Sequence, residues 1–316
     1  MISIITPTHK ERPLLDLTIK SVLSQSYSDF EWIVLDNSKE GYFEDKLNEF
    51  LIKNPKYEIR RQNVKIIHKT YDEVNIGKLK NECVRLTSCK DNEYILLLDH
   101  DDFLVNNCLL NIYKYSNKYP YAQFISGDTV PLLYDIQNNL FNFYRYHDIS
   151  KFDDLYKYNG VSGDLKIEID DFYIDFGFIE NYTFRPYLVD FVGKSNNSTI
   201  INNHIYSHPR CVKKYILLNP IYQFYEEHSI SEDTVQCFII GNFLQGVYIP
   251  ELMYTSILYN DVNNTSFVPI SDECKIKYNQ MIETTRELSK NISQLFPNLP
   301  EMSSILNREE IFKLKK

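Results

Sequence analysis

Four short β-branched or apolar runs, at residues 2–6, 31–35, 64–68 and 94–98, alternate with helical periodicity over the first hundred residues. Between them, segment 13–25 gathers Leu14, Leu17, Ile19, Val22 and Leu23 on one broad face behind Pro13. Segment 42–52 does the same with Phe43, Leu47, Phe50 and Leu51, and 77–86 reads as a third helix. Strands and helices that alternate through short connections build a parallel, doubly wound α/β sheet. The fourth run, Tyr-Ile-Leu-Leu-Leu, shows no polar alternation, as expected of a strand covered on both faces. Ligands of such sheets collect beyond the carboxyl ends of the strands. The residues that follow each run therefore carry the functional weight.

Further along, 104–118 reads as a helix and 121–126 as a strand closed by Gly127-Asp128. From 131 to 203 the chain is rich in Tyr, Phe, Asp and Asn and gives no clean period, which reads as an inserted subregion or an irregular wall of the same domain. Its aromatics (Tyr144, Tyr146, Phe172, Tyr173, Phe176, Tyr182, Phe184) read as packing rather than sugar-stacking groups. Order returns over 211–218, in a helix over 231–243 and in an extended stretch over 247–257. A long amphipathic helix over 272–296 and a charged tail complete the chain. The expected organisation is 1–130 as one half of the domain, 131–270 as the other, and 271–316 as C-terminal helix and tail.

A formal charge of −9 argues against a broad surface for nucleic acid or an anionic membrane. No eighteen apolar residues run together, so no transmembrane span is expected. The six cysteines form no C-x-x-C pair and read as reduced thiols. With no leader segment in view, a cytoplasmic or cytosol-facing protein is expected, at most peripheral to a membrane; a homodimer is compatible with the sequence.

Asp99-His100-Asp101-Asp102 directly follows the buried fourth run. Carboxylates this close repel one another unless a cation or donors share them. Oxygen ligands of this kind suit Mg²⁺ or Mn²⁺, which reach a protein through one or two carboxylates and complete their shell with substrate phosphates. Helix capping competes as an explanation, but a cap needs one acid, not three.

At this point the chain resembles a family. The opening SIITPTHKERPLLDLTIKSVLSQSYSDFEWIVLDNS is similar to the start of family 2 glycosyltransferases, which have the GT-A fold. NIGKLKNECVRLTSCKDNEYILLLDHDD resembles that family's Gly-x-x-x-Ala-Arg-Asn helix and Asp-x-Asp strand end, with Leu79 and Lys80 standing where Ala and Arg are usual. The resemblance implies that Asp36 receives the nucleotide base, with Pro7, Thr8 and Glu11 lining the same pocket; a turn-forming role for Asp36 is the alternative. It places Lys78 or Lys80 on the ribose-phosphate side and Asp99 at the ribose. Asp101 would bind the metal, and Asp102 would be either a second metal contact or a cap. His100, between the acids, belongs to this nucleotide-sugar site in a supporting or packing role.

Asp233, in Ser231-Glu232-Asp233, matches the place of the family's catalytic base, and a helix start there would keep it ionised. Asp261 stands where the family often has a metal-binding His. His204 and His208 read as structural or acceptor-side groups.

The expected function is a metal-dependent, inverting glycosyltransferase using a nucleotide-diphosphate sugar, a UDP-sugar by preference, and a glycan acceptor. The alternative is a catalytically silent nucleotide-sugar-binding or glycan-binding protein of the same fold.

Overall fold

The computed structural model describes residues 1–71, 75–143, 161–182, 200–202, 208–220, 222–224, 226, 236, 240 and 244–259. In it the four apolar runs become β1 (Ile2–Thr8), β2 (Phe30–Asp36), β3 (Val64–His68) and β4 (Tyr94–Leu97). They lie side by side and parallel in the order β3-β2-β1-β4. Consecutive residues of a strand point to opposite faces, and over β1, β2 and β4 both faces are covered. Ile4, Trp32, Val34 and Leu96 pack under α1 (Leu15–Leu23), α2 (Tyr42–Lys53) and α4 (Cys108–Lys118). Ile5, Ile33, Leu35, Ile95 and Leu97 pack under α3 (Ile76–Leu86) and the helical turn Lys214–Leu217. Strand order reverses at β1, between β2 and β4, and the crevice of a doubly wound sheet opens at such a reversal.

Beyond β4 the sheet is built from later parts of the chain. β11 (Arg210–Lys213) runs antiparallel between β4 and β6 (Phe124–Asp135), and β12 (Gln245–Tyr259) runs parallel to β6 on its far side. The short strands β5 (Phe103–Leu104), β7 (Leu140–Phe143) and β10 (Ile200–Asn202) pair with β12, β6 and β12. A largely parallel sheet with one antiparallel strand inserted beside β4 is the GT-A arrangement.

Three local expectations are corrected. The strand expected to stop at Gly127-Asp128 runs on to Asp135. Gly127 serves close approach rather than a turn: a Cβ there would lie 2.3 Å from the Met253 sulfur of β12. The helix expected from residue 104 starts at Cys108, because Phe103 and Leu104 pair with Thr255 and Tyr254 of β12.

The third correction is in the middle region, which is not uniformly irregular. It contains a separate hairpin, β8 (Val161–Ile169) and β9 (Phe172–Tyr182). Leu165, Ile167, Ile169 and Ile174 of this hairpin are buried with Phe103, Val130, Leu132 and Tyr259 in a third apolar cluster, which Phe172 and Phe176 join while Tyr173 stays exposed. Its turn is tied down by Lys56 and Tyr57 on Asp170 and by Lys20 on Asp171.

Cys83, Cys89, Cys108 and Cys211 are buried free thiols. Chain contacts divide the protein into two units, Met1–Phe267 and Val268–Lys316; the second unit, with the helix expected over 272–296, lies outside the described residues. No helix among the described residues is long and apolar enough to cross a membrane.

Candidate functional site: an acidic turn met by cations from three segments

The parallel ladder between β1 and β4 continues one residue past β4, with the Leu98 amide donating to the Ile5 carbonyl at 3.0 Å. The chain then turns, and the Asp102 amide reaches back to the Asp99 carbonyl at 3.1 Å. This tight turn sends Asp101 towards Arg12 and keeps Asp99 and Asp102 close to each other. Asp101, expected as a metal ligand, meets Arg12 Nε at 3.3 Å, and the Arg12 guanidinium also lies over the Tyr259 ring. Asp102 is buried and accepts from the Tyr254 hydroxyl at 2.7 Å and the Ile257 amide at 2.8 Å, both on β12. Asp99, expected at the ribose, stands between Lys80 (3.7 Å from Oδ1), Arg210 (3.3 Å from Oδ2) and His208 (3.9 Å from Oδ2).

These surroundings split the acids electrostatically. Burial alone would push the Asp99 carboxyl up, but the neighbouring charges of Lys80 and Arg210 hold it well below the usual carboxylate range. Asp102 moves the other way. Burial, and then the neighbouring charges of Asp101 and Asp99, push it well above that range, against the two hydrogen bonds that favour its ionised form. Burial, then Asp102 and Asp99, keep the Tyr254 phenol protonated, so it remains a donor to Asp102.

Ligand atoms of Asp99, Asp102 and His208 lie within 4.8 Å of one another. Two carboxylates and an imidazole form a donor set that fits Mn²⁺ or Mg²⁺, and better Mn²⁺, since imidazole suits transition metals. Tyr254 organises all three groups. Its ring stacks on His208 at 4.6 Å, its oxygen accepts from the Asp99 amide at 3.3 Å, and its hydroxyl donates to Asp102.

The residues expected around the nucleotide gather at the ends of β1, β2 and α3. Pro7 and Thr8 are buried at the end of β1, with Thr8 Oγ1 against the Tyr42 hydroxyl. Asp36 is buried, and its two oxygens accept from the Ser38 amide at 2.9 Å and the Phe43 amide at 3.0 Å, so it shapes the turn into α2. Glu11 is exposed and paired with Lys46 at 3.0 Å, beside a cavity of about 490 Å³ that Arg12, Pro13 and Asp16 also line. Lys78 sits over the Tyr71 ring, and Lys80 is buried 3.7 Å from Asp99 Oδ1. His100 is buried and meets the His9 ring edge-on, 5.8 Å between centroids. Burial first, then His100, Lys10 and Arg12, lower His9 to about 4, which leaves it neutral at physiological pH.

Asn81 holds a later segment onto α3. Its amide exchanges two hydrogen bonds with the Phe224 backbone, at 2.8 and 2.9 Å, and donates to Glu226 at 2.8 Å. Asp233 and Asp261 lie outside the described residues.

Sequence reading did not single out Arg12, Arg210 or Tyr254 for the site, and it gave His208 a different role. A usable signal existed for Arg210: a cation directly before the apolar pair Cys211-Val212, with which it is buried. Tyr254 carried none, being one of 25 tyrosines.

Comparison with known proteins brings in the lineage. A poly(ribitol-phosphate) beta-glucosyltransferase of Bacillus spizizenii is 29% identical over 119 residues, which is 37% of this chain and 17% of that protein. The crystal structure of S. aureus TarS resembles the chain with a TM-score of 0.49 and 13% identity, covering 81% of this chain and 36% of that one. TarS 1–349 gives the same TM-score at 12% identity, covering 81% of this chain and 60% of that one. The chain thus spans less than two thirds of the length of each of these relatives. The family model of glycosyl transferase family 2 matches residues 3–165, more than half of the chain and the whole of the strand-and-turn framework that carries the acids. The chain belongs to glycosyl transferase family 2.

Proposed function

We propose that this chain is a metal-dependent, inverting glycosyltransferase that moves a hexosyl or N-acetylhexosaminyl group from a UDP-sugar to a hydroxyl of a glycan acceptor. The convergence of Asp99, Asp102 and His208 at the end of β4, in a sheet of this family, is the observation that carries the reading. A divalent ion held there supplies positive charge to a diphosphate leaving group. Lys80, buried on the other oxygen of Asp99, holds that carboxylate ionised and supplies a cation on the ribose-phosphate side; Lys78 sits over the Tyr71 ring.

Asp36 accepts the base N–H through lone pairs left over from its two backbone bonds. Pro7, Thr8 and Glu11 wall the base, and His100 backs the acidic turn. Asp233 removes the proton of the acceptor hydroxyl as its oxygen attacks the anomeric carbon opposite the leaving group. The configuration inverts, and no covalent intermediate forms on the protein. The name of the Bacillus spizizenii relative favours a hexosyl group and a polymer acceptor bearing hydroxyls.

The test is release of UDP from a panel of UDP-sugars with and without Mn²⁺, in wild type and Asp233→Asn. Release that needs the metal and falls a hundredfold or more, about the range of general-base contributions, is the expected result. Donor binding with no turnover for any sugar or acceptor would instead favour a nucleotide-sugar-binding protein of the same fold.

A further inference from the structure

We infer that Arg210 is the resident counter-cation of the Asp99–His208 corner and that it must leave this corner for a divalent metal to enter. The inference rests on the metal reading proposed above and concerns what this chain does before the metal arrives. Asp99 offers two oxygens, and they are not equivalent. Lys80 approaches Oδ1, while Arg210 and His208 both approach Oδ2. The Arg210 guanidinium donates to His208 Nε2 and lies 3.3 Å from Asp99 Oδ2. A nitrogen that accepts this hydrogen bond carries no proton, so its lone pair is the one a metal would use. The same holds for the Asp99 oxygen. Arg210 therefore engages two of the three residues of the candidate metal site, Asp99 through Oδ2 and His208 through Nε2, whereas Lys80 approaches the other oxygen of Asp99.

Two cations cannot share one pair of lone pairs in a buried corner, and Arg210 is only 1% exposed. Metal and guanidinium are alternative occupants, so each opposes the other by the same factor. A guanidinium displaced from a carboxylate needs another anion, and a donor diphosphate supplies one in the bidentate geometry that arginine favours. Arg210 is thus a positioning residue. It keeps the corner neutralised when no donor is present and makes metal entry easier once a diphosphate can receive it.

Charge repulsion alone would also let a neutral variant bind metal more tightly, so two substitutions are needed. Mn²⁺ affinity without nucleotide is measured by electron paramagnetic resonance in wild type, Arg210→Gln and Arg210→Lys. The expected result is roughly tenfold tighter binding in Arg210→Gln, within the usual range of coupling between sites, and a smaller tightening in Arg210→Lys. The lysine keeps the charge but cannot bridge both acceptors. Tightening in the glutamine variant alone points to the field of the charge and overturns the inference, as does unchanged or weaker binding in both. If wild type binds no Mn²⁺ even with UDP present, the metal reading of the proposed function fails with it. Should neither variant fold, a wild-type crystal soaked in MnCl₂ decides. An ion on Asp99 with Arg210 still bonded to Asp99 Oδ2 and His208 Nε2 overturns the inference, and an ion with the guanidinium moved off both supports it.

Discussion

The Tyr254 hydroxyl stands 2.7 Å from Asp102 Oδ2, and the same tyrosine stacks its ring on His208. With the Asp99 amide donating to its oxygen as well, one side chain of β12 touches all three groups that converge at the end of β4. Tyr254→Phe keeps the stack and removes the donor. Its expected costs are about 1–2 kcal/mol of stability, from an unmet buried acceptor, and a tenfold to hundredfold loss of Mn²⁺ affinity, the usual penalty for removing a partner that orients a ligand. Urea unfolding and a metal titration check the two parts separately.

The turn after β4 distinguishes acids that sequence alone treats as equivalent. Asp99→Asn and Asp102→Asn are expected to abolish Mn²⁺ binding. Asp101→Asn, which removes the partner of Arg12, is expected to weaken it only severalfold. A metal titration of the three variants in parallel decides; loss of binding in Asp101→Asn would move the ion to the Arg12 side of the turn.

His9 gives the fold a pH dependence of known sign. Its folded value of about 4 lies below the unfolded 6.5, so the unfolded chain binds more protons between the two. The contribution to stability is complete above pH 6.5 and is lost as the pH falls from there towards 4. After allowance for solvent screening the change is on the order of 1–2 kcal/mol. In His9→Gln the difference between urea midpoints at pH 4.5 and 7.5 is expected to narrow. An unchanged difference would assign the acid sensitivity to other groups.

Asn81 satisfies both backbone polar groups of Phe224, in the stretch that leads towards Asp233. Asn81→Ala leaves those groups unmet and is expected to cost about 2–3 kcal/mol. If Asp233 is the base, kcat should fall by more than KM rises, because the variant disturbs the chain that carries the base rather than the donor pocket. Steady-state kinetics with a UDP-sugar measure the split.

Much of this architecture is legible in the residues themselves. Strand β4 announces itself because a strand buried on both faces needs an unbroken apolar run, and Tyr94 to Leu97 has one. The hairpin at Asp170 was harder to see. Leu165, Ile167 and Ile169 alternate with Lys166 and Glu168, but the surrounding tyrosines and phenylalanines mask the period. Gly127 reads as a turn because glycine usually does; only the Met253 sulfur pressed against it explains a glycine within a strand. The acidic cluster was visible as a cluster. The direction of each carboxylate was not, since it depends on partners at positions 12, 80, 208, 210 and 254, brought together by strand order rather than by spacing along the chain.

The antiparallel insertion of β11 has a consequence for assembly. The strand that brings His208 and Arg210 to Asp99 is made long after both strands it separates, and it fills the gap between them. Until it arrives, a nascent chain carries open edges on β4 and β6 and an acidic turn lacking Arg210. A fragment cut at the end of the matched region, residues 3–165, would expose those edges permanently and would be prone to stick to its own copies.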